Sequence, residues 1–141
     1  MQTTISTILA LDVGEVRIGI AQANTMARLA SPLTTIQHTP NVFEDIRALM
    51  KQEGATMLVV GLPRGLDGQE TAQTARIQAF GGELGERLGL EVHWQDEALT
   101  SRKAEAELES RGKPYRKGDI DALSATYILE DFLRDNPEGI A

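Results

Sequence analysis

Four consecutive apolar residues, Ile8-Leu9-Ala10-Leu11, stand between polar neighbours; they are too few for a buried helix and too uniform for a strand with one wet face. The run is read as a strand covered on both sides. Met57-Leu58-Val59-Val60 repeats the pattern and stops at Gly61-Leu62-Pro63. Elsewhere the period changes to that of a helix: Phe43, Ile46, Leu49 and Met50 share one stripe within Val42 to Glu53, and Ile77, Phe80, Leu84 and Leu88 another within about Glu70 to Leu88. Arg17 to Ala23 and Leu33 to Gln37 read as strands, entered from a turn at Gly14-Glu15 and from Pro32. Leu90 to Gln95 reads as a fifth strand, Ser101 to Arg111 as a helix that Ser101 or Thr100 can cap, and Ile120 to Arg134 as a final helix. The expected fold is α/β: a mixed sheet of about five strands, the first three antiparallel, with helices on both faces.

At 141 residues the chain is near the common size of one domain, so residues 1–141 are read as a single unit. The absence of cysteine excludes disulfides and thiolate metal sites. Met1-Gln2-Thr3-Thr4 is polar, and the apolar run after it is too short for a signal peptide or membrane span, so cytoplasm is the expected compartment. A net charge of −7 argues against a protein that coats nucleic acid nonspecifically, because such proteins neutralise phosphates with Lys and Arg. It leaves a nuclease open. Six basic residues, Arg102, Lys103, Arg111, Lys113, Arg116 and Lys117, cluster against three acids, Glu105, Glu107 and Glu109. Aromatics at 4% leave little material for base stacking.

Three acids stand where elements end or begin. Alternation puts Ile8, Ala10 and Asp12 on one strand face, so Asp12 leaves the core on the side of its apolar neighbours, at a strand end of the kind where α/β sheets bind ligands. Asp121, Ala125, Ile128 and Phe132 follow helical spacing, which turns Asp121 toward the sheet from the first turn of the last helix. Asp119 lies where a cap would lie. On the late strand, alternation from Val92 and Trp94 carries Asp96 to the apolar side, whereas a strand end or bulge at Gln95 would bring Glu97 there.

Four signatures follow in order. They are Leu11-Asp12-Val13-Gly14-Glu15-Val16-Arg17-Ile18-Gly19-Ile20-Ala21, then Val59-Val60-Gly61-Leu62-Pro63 with Asp67-Gly68 and Glu70, then Asp96-Glu97-Ala98-Leu99-Thr100, and last Lys117-Gly118-Asp119-Ile120-Asp121 with Ala122, Ser124 and Ala125. Over nearly its whole length the chain resembles the YqgF family, also called RuvX, whose members are named as Holliday junction resolvases and pre-16S ribosomal RNA nucleases. The resemblance implies a ribonuclease-H-like fold and a metal site of three carboxylates, Asp12, Glu97 and Asp121. One position departs: Ala98 stands where the family carries Arg, and Arg102, one helical turn on, is the candidate to supply the missing charge.

Hard cations take oxygen ligands, so the implied cofactor is Mg2+ or Mn2+, two ions about 3.5 to 4 Å apart. The implied activity is hydrolysis of phosphodiester bonds in structured nucleic acid, expected at the 5′ end of pre-16S rRNA in ribosome biogenesis. Alternatives are a Holliday junction or DNA-repair nuclease and a nucleic-acid-binding module that has lost cleavage. The partner is RNA or branched or single-stranded DNA, with no membrane, and the protein is a monomer or homodimer. Substrate-binding candidates are Arg64, Arg102, Arg116 and Lys117. Gly14 and Gly19 are expected to allow a tight turn and a close backbone approach near Asp12. The opening signature also resembles the first phosphate motif of the actin, hexokinase and heat-shock ATPases, but 141 residues cannot form their two lobes.

Overall fold

The computed structural model describes residues 5–63, 70–97 and 100–137. Its elements are β1 (Thr7–Val13), β2 (Arg17–Asn24), β3 (Ser31–Gln37), α1 (Val42–Glu53), β4 (Ala55–Pro63), α2 (Ala72–Leu88), β5 (Val92–Glu97), α3 (Thr100–Ser110) and α4 (Lys117–Asp135). The five strands form one sheet in the order β3-β2-β1-β4-β5. β1, β2 and β3 are antiparallel neighbours, and β4 lies parallel to both β1 and β5. The order and kinds of element are those expected, and the mixed sheet is of the ribonuclease-H-like type.

Alternation along β1 divides the core in two. Leu9, Leu11 and Val13 join Ile18 and Ile20 under α1 and α2, whose stripes contribute Ile46, Met50, Ile77 and Leu84. Ile8 and Ala10 join Ala21, Ala23 and Val59 under α4, through Ala125, Ile128, Leu129 and Phe132. Both faces are covered, which is why the β1 and β4 segments are apolar without interruption. α3 packs on α4 through Ala104, Leu108, Leu123 and Tyr127.

Element ends differ from the expected ones where polar groups set them. α2 starts at Ala72 because the Thr71 hydroxyl accepts the Thr74 amide at 3.2 Å while the Thr74 hydroxyl accepts the Thr71 amide at 3.0 Å. α4 starts three residues before the apolar periodicity, since the Asp119 carboxylate accepts the Arg116 amide at 2.8 Å. Asp121 therefore lies in the second turn rather than the first, and Asp119 takes the capping role. β5 runs on to Glu97 with its parallel register unbroken.

Candidate functional site

A row of paired residues crosses the sheet from Asp12 to Gly19 to Thr35, and the start of α4 lies over it. Gly19 permits this approach, because a Cβ there would collide with the backbone carbonyl of Asp121 and the amide nitrogen of Ala122. The Thr35 hydroxyl donates to the Gly118 carbonyl at 2.6 Å, and Arg17 Nε donates to Asp121 Oδ2 at 2.6 Å. Asp121 is held against β2. On the other side of Asp12, the Gly14 amide donates to the Arg17 carbonyl at 2.9 Å and closes the β1–β2 turn.

Asp12 feels Asp121 directly. Burial, and secondarily the Asp121 charge, push its carboxyl up from the ordinary range to about 7. Two acids that repel each other in a desolvated corner are the environment in which carboxylates are retained for chemistry rather than for stability.

Glu97 lies at the end of β5 on the face covered by α4, as its neighbours show: the His93 ring meets Phe132 edge-on, and Gln95 Nε2 donates to Asp135 Oδ2 at 3.0 Å. Burial, a hydrogen bond with Asp131 and the Asp131 charge raise the Glu97 carboxyl to about 8, against the opposing charges of Arg134 and Lys103. Its Oε1 is sealed from solvent and, among the described residues, meets no hydrogen-bond partner. Asp96 lies on the other face with Val92 and Trp94 and is exposed. Alternation thus holds without a bulge: Asp96 stays on the apolar side with Val92 and Trp94, as expected, and Glu97 lies on the opposite face. Asp12 and Glu97 both look toward α4.

The structure brings Asp12 and Asp121 into electrostatic contact and sets Glu97 beside Asp131. Among the described residues no three His, Asp or Glu side chains converge closely enough to hold one ion. The donors still suit a hard divalent cation: all are oxygens, two carboxyls carry raised proton affinities, and one buried oxygen of Glu97 has no partner among the described residues. Arg116 and Lys117 are exposed at the start of α4. Arg64, Asp67, Gly68 and Ala98 lie outside the described residues, as does the side chain of Arg102.

Three neighbours of the acids were missed by sequence reasoning. Arg17 shares a strand face with Gly19 and Ala21, a signal that alternation already contained. Asp131 follows Ile128 by three residues on the stripe that begins at Asp121. Lys103, which rests its ammonium 4.4 Å from the centre of the Tyr127 ring, stands in the sequence only as part of the basic cluster, with nothing to link it to Glu97.

The model of the family described as "RuvX: Holliday junction resolvase" matches residues 6–135. A relative from Actinobacillus succinogenes named "Putative pre-16S rRNA nuclease" is 36% identical over 137 residues, which cover 94% of this chain and 98% of the relative. Another of that name from Chloroflexus aggregans is 44% identical over 137 residues, covering 93% and 96%. Among solved structures, Thermus thermophilus RuvC in complex with a Holliday junction substrate superposes with a TM-score of 0.56, covering 92% of this chain and 96% of that one. At 14% identity that likeness shows the fold alone.

Proposed function

Since this chain belongs to the RuvX family, we propose that it is a metal-dependent nuclease that hydrolyses phosphodiester bonds of structured nucleic acid, at the 5′ end of pre-16S rRNA. The observation that carries this reading is the placement of a buried Asp12 within the electrostatic reach of Asp121, whose helix crosses the sheet at Gly19 and whose carboxylate is held by Arg17. Asp12, Asp121 and Glu97 would hold magnesium or manganese, as two ions, whose chemistry when bound is to activate water and to stabilise the leaving oxygen.

The remaining work falls to the chain. Asp12 must lose its proton to act as a ligand, and burial, which raises its carboxyl to about 7 without metal, makes cation binding weaken as pH falls. Arg17 fixes the rotamer of Asp121 through a charge-assisted bond. Lys103 and Arg134 lower the proton affinity of Glu97 and so favour its ionised form. Arg116 and Lys117 meet substrate phosphates from the start of α4, and Arg64 and Arg102 are assigned to the same task from their places in the sequence. The names of the relatives favour RNA, whereas the family description favours branched DNA as the second reading.

Purified protein is offered a 5′-extended 16S precursor RNA, single-stranded DNA and a four-way DNA junction, with magnesium or manganese, beside Asp12→Asn. Cleavage of the RNA by the wild type alone is expected. Equal cleavage by both proteins would sink the assignment, and cleavage of the junction alone would replace RNA by DNA.

A further inference from the structure

A groove of about 550 Å3 opens beside the acids, between β3 and the first turn of α4. Arg17 and Arg116 line it with Thr34, Thr35 and Gln37, and Asp119 is the acid on its wall. The Asp119 carboxylate is engaged by the Arg116 amide. Arg17 stands where the groove meets the site. Its Nε is committed to Asp121, its side chain is 29% exposed, and among the described residues no acceptor meets its other guanidinium nitrogens.

Resting on the nuclease reading, we propose that this groove is the track of a nucleic-acid phosphate backbone, in which Arg17 grips one phosphate and holds Asp121 in place with the same guanidinium. The chemistry suits the task because a guanidinium is planar, stays charged and offers five donors, so one edge can bind a carboxylate while another binds a phosphate oxygen. Lysine would supply the charge but not the two edges. Arg116, at the N-cap of α4, provides a second cation at the helix terminus whose partial charge is positive. The Thr35 hydroxyl, its proton donated to Gly118, keeps lone pairs that can accept from a sugar hydroxyl. Against a net charge of −7, two arginines lining one groove are informative, because most of the surface repels a nucleic-acid strand.

The position of Arg17 links binding to chemistry. A phosphate drawn onto its free edge is placed beside Asp121 and, through Asp121, beside Asp12. Arg17 is thus a binding and positioning residue where the groove meets the site.

Binding is read by fluorescence anisotropy in the Asp12→Asn background without added metal, using one labelled single strand as RNA and as DNA of the same sequence. Adding Arg17→Gln is expected to weaken binding about tenfold and to lower the slope of log K against log salt by roughly 0.7, the value for one phosphate contact on a single strand. Adding Arg116→Gln should lower the slope likewise, while Lys51→Gln, on α1 across the sheet, should leave it unchanged. Arg17→Lys is expected to keep the slope. In the Asp12 protein, Arg17→Lys should lower kcat about tenfold or more with KM little changed. Melting curves confirm that each variant is folded. An unchanged salt slope for Arg17→Gln overturns the track whatever the protein cleaves, and a wild-type kcat for Arg17→Lys overturns the positioning role. Failure of the nuclease reading shows itself separately, as equal cleavage by wild type and Asp12→Asn. Equal weakening on RNA and DNA assigns the contact to phosphate, and loss confined to RNA would overturn it in favour of a ribose contact.

Discussion

Asp12 carries a proton affinity that the unfolded chain would not give it, because folding removes water from its carboxyl and brings Asp121 near. A carboxyl raised in the folded state favours folding while protonated, so the stability it allows is complete below the ordinary value near 4 and is lost as pH rises through about 7. Fully ionised, it costs at most on the order of 4 kcal/mol, less what solvent screening removes. Without divalent metal, Asp12→Asn is therefore expected to melt at a higher temperature than wild type at pH 8 and at nearly the same temperature at pH 4, measured by calorimetry. The same proton competes with a cation. Manganese should raise the wild-type melting temperature more at pH 8 than at pH 6, and that difference should shrink in Asp12→Asn. Asp12 and Asp121 were legible in the sequence because each sits on an apolar stripe whose direction is unambiguous. Glu97 was not, since β5 has neighbours on both faces and its Val92 and Trp94 mark the α2 side, while its partners His93 and Gln95 are polar residues that hide the α4 side.

At the scale of elements, two glycines decide how closely α4 approaches the sheet, and they should fail differently. Gly19 faces backbone atoms of Asp121 and Ala122, which cannot turn aside, whereas Gly61 faces the flexible end of the Ile128 side chain. Gly19→Ala is expected to cost about 3 kcal/mol, a fall in Tm of roughly 10 °C, and to abolish cleavage as α4 lifts from β2. Gly61→Ala should cost about 1 to 2 kcal/mol, and Ile128→Val in the same chain should recover part of it, which a double-mutant cycle by melting would measure. Element order could be read from periodicity, because two strands carry unbroken apolar runs and the helices keep a single stripe, and the antiparallel pairing of the first three strands from their short connections; the places of β4 and β5 in the sheet could not. Helix starts could not. The capping acid Asp119 extends α4 past the point where its apolar pattern begins, and a hydroxyl pair, Thr71 with Thr74, trims α2.

For the whole molecule, processing one RNA end needs one site, whereas resolving a four-way junction calls for two sites related by two-fold symmetry. The active species on RNA is expected to sediment as a monomer of 15.4 kDa, and a dimer under cleavage conditions would favour the junction. Among the described residues no helix is long and apolar enough to cross a membrane. The connections that hold α4 reach beyond the site. Its start is tied to β3 by Thr35 and to β2 by Arg17, and its end to the turn between those strands, where Arg28 donates to the carbonyls of Leu133 and Asn136 at 2.9 and 2.6 Å. A helix fastened at both ends to one hairpin cannot open without it. In hydrogen exchange the amides of α4, β2 and β3 should therefore lose protection together, as one cooperative unit, while α1 and α2 across the sheet exchange on their own schedule.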